Sequence, residues 1–243
     1  MDAIAIERGL YALISIQKHI LFEDPNLIVI NKPAGLLSQG EETGDENLVD
    51  LLRTYFGRHY VGLVHRLDRN TSGLMVIAKR TKAAQRLTEQ LQDGKLERIY
   101  YALLQGALHR ESQTWEHWLL KNEKTNTVQT FPFSKFTQNS APRSAKQALL
   151  HVRKIEGNSS LTLAEFKLET GRSHQIRAQA QAMGYSLLGD TKYGGSSDFP
   201  RPALHSARLS FDHPISKERL SFEAPLPADM AQALTQKGRL RQE

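Results

Sequence analysis

The chain has 243 residues, 40% of them apolar and 24% charged, enough to build a sizeable core and too apolar for a disordered polypeptide. Lys and Arg outnumber Asp and Glu by 32 to 26, giving a net charge of +6, which favours a polyanionic RNA or DNA partner because phosphate contacts release counterions. The absence of cysteine excludes disulfides, thiolate catalysis and Cys-based zinc sites.

The length fits one large domain or two lobes. Near the start, the apolar run over 9–16 follows Asp2, Glu7 and Arg8 and precedes no small-residue cleavage site, so it does not read as a signal peptide. Nowhere is there the run of about 20 apolar residues that a membrane span needs. A soluble cytoplasmic protein with no membrane partner is the expectation.

Taken in order, Leu27-Ile28-Val29-Ile30 predicts a buried strand closed by the turn-rich Asn31-Lys32-Pro33-Ala34-Gly35. Leu48, Leu51, Leu52 and Phe56 at helical spacing predict an amphipathic helix over 47–56. A second buried strand is expected over 74–78, then a helix over 81–93 capped by Thr81 and ended by Gly94. Ile99, Tyr100 and Tyr101 favour a strand over 98–104. The polar stretch 111–143 has no clear period and predicts hairpins or a long excursion. Alternation returns over 161–168 as a half-buried strand. Thr170-Gly171-Arg172-Ser173 then turns the chain, with Ser173 expected to cap a helix over 174–183. Short strands around 204–211 and 219–222 precede a helix-prone tail beyond Pro227, with Lys237, Arg239 and Arg241 late in it. The irregular alternation of elements predicts an α+β fold rather than a regular βαβ array.

The densest polar feature is His65-Arg66-Leu67-Asp68-Arg69-Asn70-Thr71-Ser72-Gly73, set against the predicted strand at 74. Such density beside a buried strand marks a site, or else a charged turn in which Asp68 pairs with Arg66 or Arg69. A kinase catalytic loop is excluded, since no Gly-rich phosphate loop, strand lysine or Asp-Phe-Gly accompanies it. His65, His174 and His205 form no metal-binding spacing and read as structural or RNA-facing groups, so no metal is expected. Alone, Tyr100 reads as a core strand residue, Arg177 as a solvated or ion-paired helix residue, and Lys32 as a turn lysine or a residue near the site.

His65-Arg66-Leu67-Asp68, two variable residues, then Thr71-Ser72-Gly73 resembles the signature of the RluA family of RNA pseudouridine synthases. Five further stretches are similar to that family's motifs, in its order: Asn31-Lys32-Pro33-Ala34-Gly35-Leu36; Arg98-Ile99-Tyr100-Tyr101-Ala102-Leu103; Thr170-Gly171-Arg172-Ser173-His174-Gln175-Ile176-Arg177; Gly189-Asp190 with Tyr193-Gly194; and Leu204-His205-Ser206-Ala207 with His213-Pro214. The resemblance implies the pseudouridine synthase fold, a mixed, largely antiparallel sheet flanked by helices and loops. It would occupy one catalytic domain over 20–227, between an extension over 1–19 and a basic tail over 228–243. Relatives often carry an S4-type RNA-binding domain first; the roughly twenty residues before Ile20 are too few for one.

The resemblance also implies site residues. Asp68 is the catalytic aspartate, Tyr100 stacks on the uracil and helps remove its proton, and Arg177 holds the aspartate. Arg66 fills the gap left by the extruded base, with Lys32, His65, Thr71 and His174 as further substrate-binding residues. The implied activity is isomerisation of specific uridines in an rRNA or tRNA stem-loop, by a monomer needing no protein partner.

The chemistry suits these residue types. Exchanging a C–N for a C–C glycosidic bond needs no redox step, metal or cofactor, but needs a carboxylate near the sugar, as nucleophile or base. A carboxylate in a base pocket loses water, which favours its neutral form; a fixed guanidinium restores the ionised one. A tyrosine ring gives the flipped base a platform worth about 1–3 kcal/mol. A non-catalytic RNA-binding or RNA-chaperone protein on the same fold is the alternative. A nucleoside glycosidase would need its own water-activating carboxylate and a small-molecule site.

Overall fold

A computed structural model of the chain describes residues 16–41, 44–57, 60–137 and 140–239. The extension predicted at the N-terminus lies mostly outside the described residues, as do Arg241 and the side chains of Lys237 and Arg239. The described chain forms two compact units. One comprises the residues up to Glu97 together with Ser206–Ala224; the other comprises Arg98–His205 and the residues from Pro225 onward. The fold is α+β, with four α-helices among the described residues and a mixed, mostly antiparallel sheet.

The first unit opens with β1 (Ile20–Glu23) and β2 (Leu27–Lys32), then α1 (Leu48–Phe56), the short β3 (Gly62–Leu63), β4 (Ser72–Ala78) and α2 (Thr81–Gln92). It is completed by β10 (Leu204–Asp212), from Ser206 onward, and by β11 (Arg219–Glu223). β2 lies antiparallel between β1 and β4, with Ile28 opposite Ile77 and Lys32 opposite Gly73. Every residue of β4 is buried, which explains its unbroken apolar run. Leu27, Val29, Leu74, Val76, Leu87, Leu209 and Phe211 form the core, each apolar side chain worth about 1.5–3 kcal/mol on burial.

Local chemistry sets the ends of these elements. Asn47 caps α1 by accepting from the Asp50 N–H, and Gly57, at φ 60°, ends it in the left-handed conformation. The expected Thr81 cap is corrected: extended Arg80 is the cap residue, without a side-chain bond, and Thr81 is already helical. Between β1 and β2, Asp24 Oδ1 accepts from the N–H groups of Asn26 and Leu27, closing a tight turn.

In the second unit, β5 (Glu97–Gln105, counted here from Arg98), β6 (Ser112–Asn122), β7 (Thr127–Pro132), β8 (Lys146–Gly157) and β9 (Leu161–Leu168) pair antiparallel in the order β5-β9-β8-β6-β7. Within the polar stretch 111–143, residues 112–122 and 127–132 are thus strands. β6 and β7 form a hairpin whose turn is held by Asn122 Oδ1 and by Asn126 at φ 49°. α3 (Gln175–Ala182) packs on β6 and β7, and α4 (Ala228–Arg239) buries Met230 against Leu103, Leu163 and Phe199. Trp115 meets Phe166 edge-on and stacks parallel to Tyr185. No helix among the described residues is long and apolar enough to cross a membrane.

Candidate active site

The loop from His65 to Thr71 is pinned on both sides of Asp68. On one side, buried Ser38 donates through Oγ to the Leu67 carbonyl (2.7 Å) and accepts from the Leu67 N–H (3.2 Å). On the other, the Arg69 carbonyl accepts from the Gly35 N–H (2.9 Å) and the Lys32 ammonium (3.1 Å). The Asp68 carbonyl itself accepts from the N–H of buried Thr71, closing a turn. Asp68 is half-buried, whereas Arg66 and Arg69 are exposed. Exposed Arg69 pairs with Asp45 at 2.9 Å, so one of the turn's two arginines is engaged away from Asp68.

Lys32 has no exposed surface. Its ammonium donates to the carbonyls of Pro33 (2.9 Å), Leu36 (2.7 Å) and Arg69 (3.1 Å), one for each of its three N–H donors. This ties the Asn31–Leu36 turn to the Asp68 loop, a bracing arrangement. His65 is also buried, and its Nε2 accepts from the Val76 N–H (3.3 Å), which places the ring proton on Nδ1.

Gly73 shows why the loop must return through glycine. Its φ is +117°, and a Cβ there would lie 2.3 Å from the Ser206 carbonyl oxygen and 2.5 Å from the Ser206 nitrogen. Ser206 Oγ donates to the Leu74 carbonyl next to it. The Thr-Ser-Gly sequence thus lets β4 start in direct contact with backbone from β10.

In the second unit, the turn before α3 is built on Gln175. Its Oε1 accepts from the Thr170 hydroxyl and the Arg172 N–H, and its Nε2 donates to the Leu149 carbonyl. Ser173 is not the cap it was expected to be. The cap position falls on His174, in the left-handed conformation at φ 50° with no side-chain cap. Half-buried His174 instead meets the Tyr193 hydroxyl at 2.8 Å. That hydroxyl also accepts from the Val128 N–H, which ties His174 to β7 through Tyr193.

Arg177 is held on two sides. Its Nε and Nη2 donate to the two carboxylate oxygens of Asp190 at 2.7 and 2.8 Å, and its guanidinium lies 5.0 Å from the centre of the Tyr193 ring. Both partners are buried, at 9% and 1% side-chain exposure. Asp190 is the charge partner that the sequence did not single out. Gly189 before it, at φ 77°, would collide with the Arg201 carbonyl if it carried a Cβ. Tyr100 is 5% exposed on β5 and opposite Phe166 of β9. Two residues earlier on the same face, buried Arg98 lies against Gly171, where a Cβ would be 2.8 Å from its Nη1.

Comparison with known proteins fits this framework. Solved structures first define the class of fold: over 95% of this chain and 97% of the other, the chain superposes on human RNA pseudouridylate synthase domain containing 4 with a TM-score of 0.78 at 22% identity. The family model described as RNA pseudouridylate synthase matches residues 26–182. An uncharacterized RNA pseudouridine synthase of Bacillus subtilis, YlyB, is 36% identical over 227 residues, covering 88% of this chain and 71% of that one. Ribosomal large subunit pseudouridine synthase D of Zymomonas mobilis is also 36% identical, over 87% of this chain and 70% of its own length.

The chain belongs to the RNA pseudouridylate synthase family, on the RluA side that its ordered motifs resemble. It is accordingly an isomerase whose substrate is RNA.

Proposed function

We propose that the chain isomerises specific uridines in an rRNA or tRNA stem-loop, with Asp68 as its catalytic carboxylate. The observation that carries this reading is the clamp around Asp68: both chain neighbours are fixed by hydrogen bonds while its own side chain is half-buried. Such a carboxylate is pre-organised, which catalysis by proximity requires. Tyr100 serves as the platform for the uracil and Arg177 as the arginine that holds the aspartate; both are assigned from the motifs they occupy. Exposed Arg66 enters the stack vacated by a flipped base, offsetting part of the few kcal/mol that extrusion costs. His174 contributes to RNA contact, while Lys32, His65 and Thr71 act on the substrate by holding the loop.

Large-subunit rRNA is the favoured RNA class, because relatives at this level of identity are named ribosomal large subunit pseudouridine synthases C and D. Residues 20–227 act as one catalytic domain, working as a monomer in the cytoplasm. The test is tritium release from 5-tritiated uridine in RNA of a strain lacking this gene. Asp68→Asn should bind that RNA as the parent chain does and release no tritium. Release at the parent's rate would overturn the Asp68 assignment. Pseudouridine mapping in the same strain names the target.

A further inference from the structure

A groove in the second unit, between β7 and the C-terminal end of α3, is not used by any residue discussed above. It encloses about 430 Å³ and is lined by His117, Gln129, Thr130, Phe131 and Gln181 among others. That volume lies in the range of small-ligand clefts, roughly 300–1,000 Å³. Its lining contains no Lys, Arg, Asp or Glu.

His117, only 8% exposed, gives the groove a defined polarity. Its Nδ1 lies 3.0 Å from Gln179 Nε2, and that same nitrogen faces the carbonyls of Trp115 (3.0 Å) and Ala148 (3.4 Å). An amide oxygen in that position would oppose two carbonyl oxygens, so the group there is the NH₂. His117 Nδ1 therefore accepts, and the proton of the neutral ring sits on Nε2. Burial, opposed by nearby Glu116, pushes the imidazole below its ordinary range and keeps it neutral. The Nε2–H has no hydrogen-bond partner among the described residues. That N–H is reached from the groove that His117 lines, where it can donate to an acceptor brought from outside.

We propose that this groove is a second RNA subsite, holding one unpaired nucleobase whose ring acceptor takes the His117 Nε2–H and whose remaining edge meets the Gln129 and Gln181 amides. Single-stranded bases are recognised in this way, by hydrogen bonds to their edges beside an aromatic face. A phosphate is disfavoured, because a neutral imidazole and an uncharged lining offer it no counter-charge. Cations sit just outside, where backbone phosphates would run. Lys135 lies 4.6 Å from the centre of the Phe131 ring, and Lys124 is exposed on the hairpin, where Lys121 pairs with Glu123. Beyond β7, partly exposed Phe133 stacks on Trp118 and adds a second ring surface.

The proposal rests on RNA being the substrate and not on the role of Asp68. It is tested with an unmodified large-subunit rRNA transcript carrying 4-thiouridine, for photocrosslinking and for measurement of Kd. Crosslinks are expected within 117–132 or at Gln181. The double variant Gln129→Ala, Gln181→Ala changes only exposed side chains and should fold normally. It should weaken binding about tenfold, with the loss in Kd and KM rather than kcat. His117→Phe, with its thermal unfolding checked, should do the same. Affinity equal to the parent's in the double variant, or a loss confined to kcat, overturns the proposal, as do crosslinks that avoid the groove. Asp68→Asn carries its own readout, tritium release, so either assignment can fail alone.

Discussion

Replacing Ser38 with alanine tests whether the clamp on the Asp68 loop serves catalysis or only stability. The substitution removes one oxygen and keeps Cβ, so packing hardly changes. It strands the N–H and carbonyl of Leu67, a residue 6% exposed, which Ser38 Oγ serves at 3.2 and 2.7 Å. Each buried group left without a partner costs about 1–3 kcal/mol, and the two share one site, so a loss of about 2–4 kcal/mol is expected. For a chain of this size that lowers Tm by roughly 4–16 °C. Once Leu67 is released, Asp68 is no longer held to a fraction of an ångström, and a displacement near 1 Å can cost about 100-fold in rate. Single-turnover tritium release, measured well below the variant's Tm, should fall by about 10- to 100-fold while RNA binding stays within about twofold. Lowered Tm with full turnover would refute the positioning role and leave Ser38 as a stability residue alone.

Three further outcomes are expected. Gly73→Ala forces a side chain into φ +117° and into Ser206 backbone, and should destabilise by about 3–5 kcal/mol in chemical denaturation. Asp190→Asn removes the carboxylate charge to which Arg177 Nε and Nη2 donate; about 3–5 kcal/mol of stability should be lost, with turnover falling in parallel. Burial raises the Asp24 carboxyl, but the N–H groups of Leu27 and Asn26, the Asn26 amide and His213 outweigh it and hold it below the ordinary carboxylate range. A depressed carboxyl stabilises the fold above its unfolded value of about 3.9 and loses that contribution as pH falls through its folded value. Asp24→Ala should therefore be less stable than the parent at pH 7, and the gap in denaturation midpoint should close in acid.

Much of the fold was legible because local signals agreed with the final packing. The buried strands at 27 and 74 announce themselves by apolar runs, and α1 by Asn47 and its helical leucines. β8 was missed. It buries Ala148, Leu150 and Val152, but apolar Leu149 sits on the opposite face and blurs the alternation. In β6 the buried His117 and adjacent Trp118 obscure the period in the same way. The α3 cap was misplaced because Gln175 organises that turn through three hydrogen bonds, leaving Ser173 exposed.

At the site, the motif residues were visible but their supports were not. Ser38 is one small residue just past the Asn31–Leu36 motif, and nothing in its letters tells that it brackets Leu67. Asp190 lies 13 residues beyond Arg177, across a turn at Met183–Gly184 and the left-handed Gly189, so helical spacing could not pair them. Gly189-Asp190 was nonetheless among the quoted motifs, and a buried arginine's need for a carboxylate would have been reason to look there.

The contact between Gly73 and Ser206 also has a consequence in time. Leu74 and the serine that bonds to its carbonyl are 132 residues apart in the chain. A ribosome adding about 5–20 residues per second needs roughly 7–26 s to travel that distance. For that interval the beginning of β4 exists without the backbone that covers it, while the whole of β5 to β9 is being made. Folding of the unit that holds the Asp68 loop is thus gated by synthesis, and β4 gains this support only after Ser206 has been added and has emerged.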